Sequence, residues 1–374
     1  MKVNIRKPAR GKPGVRYHLL ESGSDFLQEL TAGQVAANKI SGLADGMVQY
    51  LRMTLTSQDQ VEKFWKGIPA ALAGCPQEED FAEMERILAY GVLHLLDRYL
   101  RTWEVLHWLV RTCVLPAPKT NPAVLDIGSG PATASFAVCD FYQALSDYSR
   151  DRKIERLVLP SFDAHPIERS ALMCQFFNHI AELSNRNGPF RPLIEDFTGF
   201  DPHQMRAAAQ REQDDIYWDN KSFKSFVDLS EIREWARELH RYQLVFFSNF
   251  LTTLPMLSLF KREVQLALRN QRRGGVVVVM GGTGGDYPTI YEELNAIMIR
   301  TGHRRVQDIP EVLKDDFRRP YFEQIKKFNN DVWTTLSEIA DVSVLPHDRY
   351  PPIWDPNQPI TGLRSYSVRV FRMS

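Results

Sequence analysis

The chain has 374 residues, of which 44% are hydrophobic and 25% are charged, as in an ordinary globular protein with a full core. Basic and acidic residues each number 46, so the formal net charge is zero, which argues against a surface that coats nucleic acid. The four cysteines are far apart and show no Cys-x-x-Cys spacing. This spacing argues against a metal site and a disulfide framework, and it favours a cytoplasmic location.

No apolar run of the sequence reaches the length that a membrane-spanning helix needs. The longest candidate, residues 93–115, is interrupted by Asp97, Arg98, Arg101, Glu104 and Arg111. The basic residues at the start of the chain are not followed by the apolar core of a signal peptide. We therefore expect a soluble protein with no membrane partner.

The first third of the chain is predicted to be helical after a short extended arm. Residues 1–20 are rich in Lys, Arg, Pro and Gly, which is typical of such an arm. Apolar residues at helical spacing then predict helices from Ser24 onward and over 47–56, 58–73 and 78–113. Three prolines within residues 115–122 mark a boundary, so we divide the chain into segments 1–20, 21–118 and 119–374.

The stretch that begins at Val124 carries the most specific pattern in the sequence. A short apolar run with an acid, Asp126, leads into the turn Gly128-Ser129-Gly130-Pro131, and a helix-forming segment follows. The two glycines lack a Cβ, so a ligand can approach the main chain, and the helix start presents unpaired N–H groups to the same space. The pattern predicts a strand, a tight turn and a helix around a cofactor site.

The string from Leu125 to Pro131 resembles the first motif of the class I S-adenosylmethionine-dependent methyltransferases, in which an acid precedes Gly-x-Gly. The rival is the dinucleotide fingerprint, which has Gly or Ala at its sixth position, where this chain has Thr133. The resemblance implies an α/β, Rossmann-like fold with S-adenosyl-L-methionine as cofactor. It implies a mostly parallel sheet of seven strands that ends in an antiparallel hairpin.

Further strands are predicted along segment 119–374. A second strand over 154–163 ends in Asp163, and a third covers 190–197. The fourth and fifth cover 242–251 and 276–280, and the closing hairpin pairs 340–345 with 365–371. Residues 201–238 are polar and predict an insertion between strand and helix.

The resemblance also assigns site residues. An acid at the second strand end can accept the ribose hydroxyls of a nucleoside, and an acid–aromatic pair after the third strand would hold adenine. The predicted cofactor site comprises Asp126, Gly128, Ser129, Gly130, Asp163, Ala164, Asp196, Phe197 and Ser248. The predicted catalytic residues are Asn249, Tyr287 in a glycine-rich turn, and His165, a candidate base beside Asp163.

These expectations favour a methyltransferase that acts on a small molecule beneath a helical cap, segment 21–118, which could also form a homodimer interface. The fourth strand lacks the Asn-Pro-Pro-aromatic motif, so transfer to a base or amide nitrogen is not supported. One alternative is a methyltransferase of ribosomal RNA, since residues 89–106 with the glycine turn loosely resemble a mitochondrial ribosome assembly family. That family's cysteine cluster is absent. Another alternative is a non-catalytic, cofactor-binding assembly factor.

Overall fold

The computed structural model of the protein describes most of the helical region and the whole of a central sheet. The described residues are 23–32, 34–72, 82–116, 123–159, 162–168, 170–186, 188–192, 242–249, 251–269, 271, 273–313, 320–345 and 365–374. The predicted arm, the predicted insertion and the adenine pair Asp196 and Phe197 lie outside them.

The described strands form one eight-stranded sheet with the order β3-β2-β1-β4-β5-β8-β6, and β7 pairs with β8. Neighbours from β3 to β5 are parallel, whereas β8 runs antiparallel to β5, β6 and β7. The strands are β1 (Ala123–Ile127), β2 (Phe162–Ile167), β3 (Phe190–Pro192), β4 (Tyr242–Ser248), β5 (Val276–Gly281), β6 (His303–Arg305), β7 (Val312–Leu313) and β8 (Tyr366–Met373).

This sheet confirms the predicted fold class and corrects two of its strands. The second strand begins at Phe162, because Glu155–Leu157 forms a 3-10 turn, and it continues through Pro166 to Ile167. Pro166 lies opposite Asp126 in the pairing of β2 with β1. The predicted hairpin partner over 340–345 is wrong, since Val342–Val344 is a 3-10 helix and β8 pairs with β5 and β6 instead.

Helices cover both faces of the sheet, so its parallel strands are buried on two sides, as such strands require. One face packs against the cluster that includes α4, α5, α6 and α9, and the other packs against α7 and α8. The helices are α1 (Gly23–Ala32), α2 (Val35–Thr54), α3 (Gln58–Leu72), α4 (Met84–Arg111), α5 (Thr133–Asp151), α6 (Ala171–Leu183), α7 (Leu254–Arg269), α8 (Tyr287–Arg300) and α9 (Phe322–Ile339).

The helical region shares its core with the sheet. Helix α4 is buried on most sides and packs against α3 and α5, and α2 packs against α6 and α9. The predicted third helix and long fourth helix are found at closely similar ranges, whereas the predicted helix over 47–56 is the second half of the longer α2. Helix α4 lies over the carboxyl edge of the sheet and brings the side chains of Arg98 and Arg101 to the ends of β4 and β5.

None of the described helices is long and apolar enough to cross a membrane. Among the same residues, no group of three or more His, Cys, Asp or Glu side chains is arranged to hold a metal ion.

Candidate active site

The turn after β1 adopts the conformation that its glycines permit. Gly128 and Gly130 have φ angles of 65° and 54°, in the left-handed region where a side chain is strained. Ala132 also has a positive φ, 49°, and precedes the first turn of α5. The turn therefore places backbone N–H groups and the start of α5 at the carboxyl end of β1.

Asp126 is buried beneath this turn, with 1% of its surface exposed. Its Oδ2 accepts hydrogen bonds from the backbone N–H and the hydroxyl of Ser135, at 3.2 and 2.8 Å. Burial raises the pKa of Asp126 to about 7, and the nearby Glu168 carboxylate raises it further, while the Ser135 bonds oppose this rise. Within the described part of the chain, Asp126 Oδ1 and the buried Ser129 hydroxyl have no hydrogen-bond partner. Buried polar atoms of this kind call for a ligand.

A second carboxylate, that of Glu168, meets the same turn. Glu168 follows β2 directly, and its Oε2 accepts a hydrogen bond from the Gly130 backbone N–H at 2.9 Å. Its Oε1 accepts one from the backbone N–H of Ser170 at 3.0 Å, just before α6. Two acids, Asp126 and Glu168, thus flank one glycine turn.

Asp163, Ala164 and His165, which were assigned to the site from the sequence, lie on β2 but not at its carboxyl end. The carboxyl ends of β1 and β2 meet at the pair Ile127–Ile167, whereas Asp163 pairs with Ala123 at the amino end of both strands. The prediction that Asp163 ends the second strand is wrong, because the strand continues for four more residues, at about 3.3 Å each, to Ile167. Ala164, opposite Val124, is equally remote from the edge.

His165 is buried in the middle of β2, and its Nδ1 lies 3.1 Å from the hydroxyl of Tyr242, at the amino end of β4. The geometry therefore gives no support to a catalytic role for this histidine. His303, a further histidine of the sheet, is likewise engaged internally, and burial lowers its pKa to about 4.

A narrow cavity, too tight in this structure to hold a water molecule, lies at the same edge of the sheet, where β4 and β5 end. Ser248 and Asn249, both assigned from sequence, line it at the end of β4. Asn249 has a φ of 53°, donates its backbone N–H to Met280 O at 2.9 Å, and lies with its Nδ2 3.4 Å from the Ser248 hydroxyl. The remaining lining residues come from β5, β8 and α4 and are Met280, Gly281, Tyr366, Arg98 and Arg101.

Tyr287, the third predicted catalytic residue, begins α8 beside this cavity. Its ring lies so close to Gly281 and Gly282 that a Cβ at either position would come within 2.6 Å of a ring carbon. Burial raises the pKa of the Tyr287 hydroxyl, and the charges of Arg98 and Arg101 oppose the rise. The hydroxyl is therefore protonated at neutral pH, in the field of two arginines.

Sequence reasoning missed the two arginines and Glu168. Arg98 and Arg101 lie on α4, where charged residues in a helical pattern indicate a solvent-facing surface. Glu168 was missed because the predicted second strand ends at Asp163, whereas the observed strand ends at Ile167. The sequence does contain a pattern that indicates Glu168: it is an acid two residues before Ser170, and the Ser170 side chain caps α6.

The topology of the sheet defines the architecture around this site. The first five strands follow the doubly wound order, with an antiparallel strand inserted between β5 and β6, and the glycine turn follows β1. The chain therefore has a Rossmann-like α/β fold. No family model matches the sequence, and no curated protein is similar enough to count as a relative.

Solved structures with this fold are similar at a distance. A methyltransferase from Geobacter sulfurreducens in complex with S-adenosyl-L-homocysteine is 11% identical, with a TM-score of 0.31 over 73% of this chain and 91% of that one. A putative sarcosine dimethylglycine methyltransferase from Galdieria sulphuraria is 13% identical, with a TM-score of 0.34 over 74% and 86%. The [4+2]-cyclase SpnF is 14% identical, with a TM-score of 0.32 over 85% and 97%. Similarity this low assigns no reaction to the chain.

Proposed function

We propose that this protein is an S-adenosyl-L-methionine-dependent methyltransferase that acts on a small molecule. The observation that carries the proposal is the pair of carboxylates at the glycine turn. S-adenosyl-L-methionine has a sulfonium and an ammonium group, and both favour nearby carboxylates. A dinucleotide would instead bring a pyrophosphate to this turn, where Glu168 already accepts the Gly130 N–H and would repel it.

The residues present fit the cofactor. Asp126 Oδ1 and the Ser129 hydroxyl have no hydrogen-bond partner among the described residues, and they would accept from, or donate to, the amino-acid half of the nucleoside. Glu168 takes over the role that sequence analysis gave to Asp163, because it is the acid at the carboxyl end of β2 and can accept two ribose hydroxyls. Asp196 and Phe197 remain the proposed adenine contacts.

The reaction needs positioning more than covalent chemistry from the protein. The bound cofactor would supply a methyl group on sulfur, which an acceptor takes by in-line displacement. Ser248 and Asn249 end β4, the neighbour of β1, and can orient the acceptor beside the turn. The Tyr287 ring lies against Gly281, which lines the cavity, and its protonated hydroxyl can donate a hydrogen bond. Helix α4 of segment 21–118 lines this cavity with Arg98 and Arg101, which supports a helical cap over the site.

Calorimetry with S-adenosyl-L-homocysteine, S-adenosyl-L-methionine and NAD⁺ tests the proposal. We expect the two sulfur nucleosides to bind and NAD⁺ not to bind. Glu168→Gln should weaken nucleoside binding about tenfold or more, since one charge-assisted hydrogen bond is lost. The matched control is Glu182→Gln, an exposed glutamate of α6. Binding of NAD⁺ instead, or equal affinity for both variants, would overturn the assignment.

Two further measurements separate the remaining alternatives. Nucleoside binding without methyl release on any acceptor would favour the non-catalytic assembly role. Salt-sensitive binding to ribosomal RNA would favour the nucleic-acid acceptor, because phosphate contacts release counterions. Sedimentation of the purified chain tests the homodimer.

A further inference from the structure

Arg98 is a buried cation in the cavity between α4 and the sheet edge. Only 9% of its surface is exposed. It donates from Nη1 to the hydroxyl of Tyr90, and its guanidinium lies 4.9 Å from the centre of the Tyr90 ring. Among the described residues, no carboxylate forms an ion pair with it. An arginine in this position keeps its charge, since the guanidinium does not deprotonate in proteins.

The neighbouring Arg101 shows the usual arrangement by contrast. It pairs with Asp97 at 3.3 Å and lies 5.0 Å from the centre of the Tyr366 ring. The Tyr366 hydroxyl in turn donates to Glu104 at 2.7 Å. Arg101 is therefore neutralised, whereas Arg98 contacts the phenol of Tyr90 and pairs with none of the described carboxylates. Burial of a charge without an opposite charge is costly, and a bound anion would offset this cost.

The cavity lies on the acceptor side of the site. Its lining residues Ser248, Met280 and Tyr366 belong to β4, β5 and β8. In the sheet order, β5 is two positions from β1, which corresponds to roughly 10 Å at the usual strand spacing. Arg98 is closer to the turn than β5 is, because it donates to the Tyr90 hydroxyl and the Tyr90 ring lies next to Gly130, so an anion bound to Arg98 would lie beside the glycine turn.

We propose that this cavity binds an acceptor that carries an anionic oxygen group, a carboxylate or a phosphate, and that Arg98 holds that group. The proposal rests on the methyltransferase function and specifies its substrate class. The five N–H donors of a guanidinium suit either group. Tyr90 connects the two halves of the site, because its ring lies 3.9 Å from where a Cβ of Gly130 would be.

Calorimetry of the full chain with sodium phosphate and sodium benzoate, at constant ionic strength, tests the anion site. We expect at least one probe to bind, and the probe that binds identifies the group. Arg98→Met should weaken that binding tenfold or more. Arg111→Met, an exposed arginine at the end of the same helix, should leave it within twofold. Binding of neither probe, or equal binding by Arg98→Met, would overturn the proposal.

Titration of S-adenosyl-L-homocysteine into the same variants separates this proposal from the cofactor assignment. Arg98→Met should keep its nucleoside affinity within twofold, and a tenfold loss would show that Arg98 serves the cofactor carboxylate instead. If the wild type binds the anion through Arg98 but ignores the nucleoside, the proposed function fails and the anion site stands. Should Arg98→Met give no cooperative thermal transition, Arg98→Lys replaces it. This variant keeps the charge but loses the paired donors, so it should bind the anion several-fold more weakly.

Discussion

Glu168 and Gly130 are joined by a hydrogen bond across 38 residues of sequence, from the backbone N–H of the glycine to the Glu168 carboxylate at 2.9 Å. The bond ties the end of β2 to the turn after β1. The turn is thereby held in shape before any ligand arrives, and the carboxylate is placed where a nucleoside would lie. Preorganisation of this kind reduces the entropy that binding must overcome.

Gly130→Ala should lower the free energy of unfolding by about 1 kcal/mol, because a φ of 54° strains a residue with a Cβ. The space beside Gly130 is open to 3.9 Å, so strain rather than collision is the cause. Urea unfolding followed by circular dichroism measures the change. Gly188→Ala, with no atom within 4 Å of its Cβ, is the control. Equal stability of Gly130→Ala and wild type would contradict the conformation of the turn.

Asp126 should make the stability of the protein fall as pH rises towards neutrality. Burial raises its pKa from 3.8 to about 7, so the folded state keeps a proton that the unfolded state releases. The stabilising contribution is complete below pH 4 and is lost as pH rises through 7, with a slope of at most about 1.4 kcal/mol per pH unit. Asp126→Asn should flatten this slope in urea titrations between pH 5 and 8.

The control for that experiment is Asp147→Asn, since Asp147 is exposed and pairs with Arg150 at the surface. It should keep the wild-type slope. An unchanged slope in Asp126→Asn would mean that Asp126 is ionised in the folded protein. Nucleoside binding near pH 6.5 should also release protons, because an ammonium group close to Asp126 favours its charged form. Calorimetry in two buffers of different ionisation enthalpy detects that release.

Gly91→Ala should destabilise the whole protein by about 2 kcal/mol, because overpacking forces α4 away from α6. A Cβ at this position would lie 2.5 Å from Cζ of Phe176. Gly42→Ala is the matched control, as nothing lies within 4 Å of its Cβ in α2. A single unfolding transition that shifts as a unit is expected, since the helices share a core with the sheet. Separate transitions would show that segment 21–118 is an independent domain.

Arg186→Met should cost about 3 kcal/mol, because it removes one partner of a buried ion pair. Arg186 contacts Asp140 through Nε at 3.2 Å and Nη2 at 2.8 Å, and Tyr99 donates to the same carboxylate at 2.8 Å. The exposed pair of Arg150 with Asp147 provides the control, and Arg150→Met should cost less than about 1 kcal/mol. Thermal unfolding of both variants gives the comparison, and equal losses would contradict the buried network.

The sequence predicted strands β1, β4 and β5 because they carry strong local patterns, and it did not predict the short β6 and β7. The apolar runs of β4 and β5 are typical of strands covered on both faces, and the glycine turn after β1 has a specific composition. The strands that were predicted at the wrong positions lack such a pattern. Strand β2 contains His165 and Pro166, neither of which favours a strand, and the apolar residues 157–159 before it attracted the prediction.

The site was harder to predict than the fold because it depends on which elements meet. Ser248, Asn249 and Tyr287 were assigned from their places near strand ends, and the structure puts all three at one edge of the sheet. The burial of Arg98 follows from the packing of α4 over that edge, which no local pattern of α4 encodes. The local sequence around an arginine in a helix therefore does not indicate that its side chain faces a cavity.

Strand β8 lies between β5 and β6 although it follows both in the chain. On the ribosome, the flanks of β5 and β6 consequently emerge long before residues 366–373 that will join them. Until then the backbone groups on one edge of β5 and of β6 stay open to strand addition by other chains, and the edge of β5 is apolar. Strands that are far apart in the sequence pair slowly. The nascent protein therefore exposes unpaired strand edges, to which chaperones can bind, until β8 has formed.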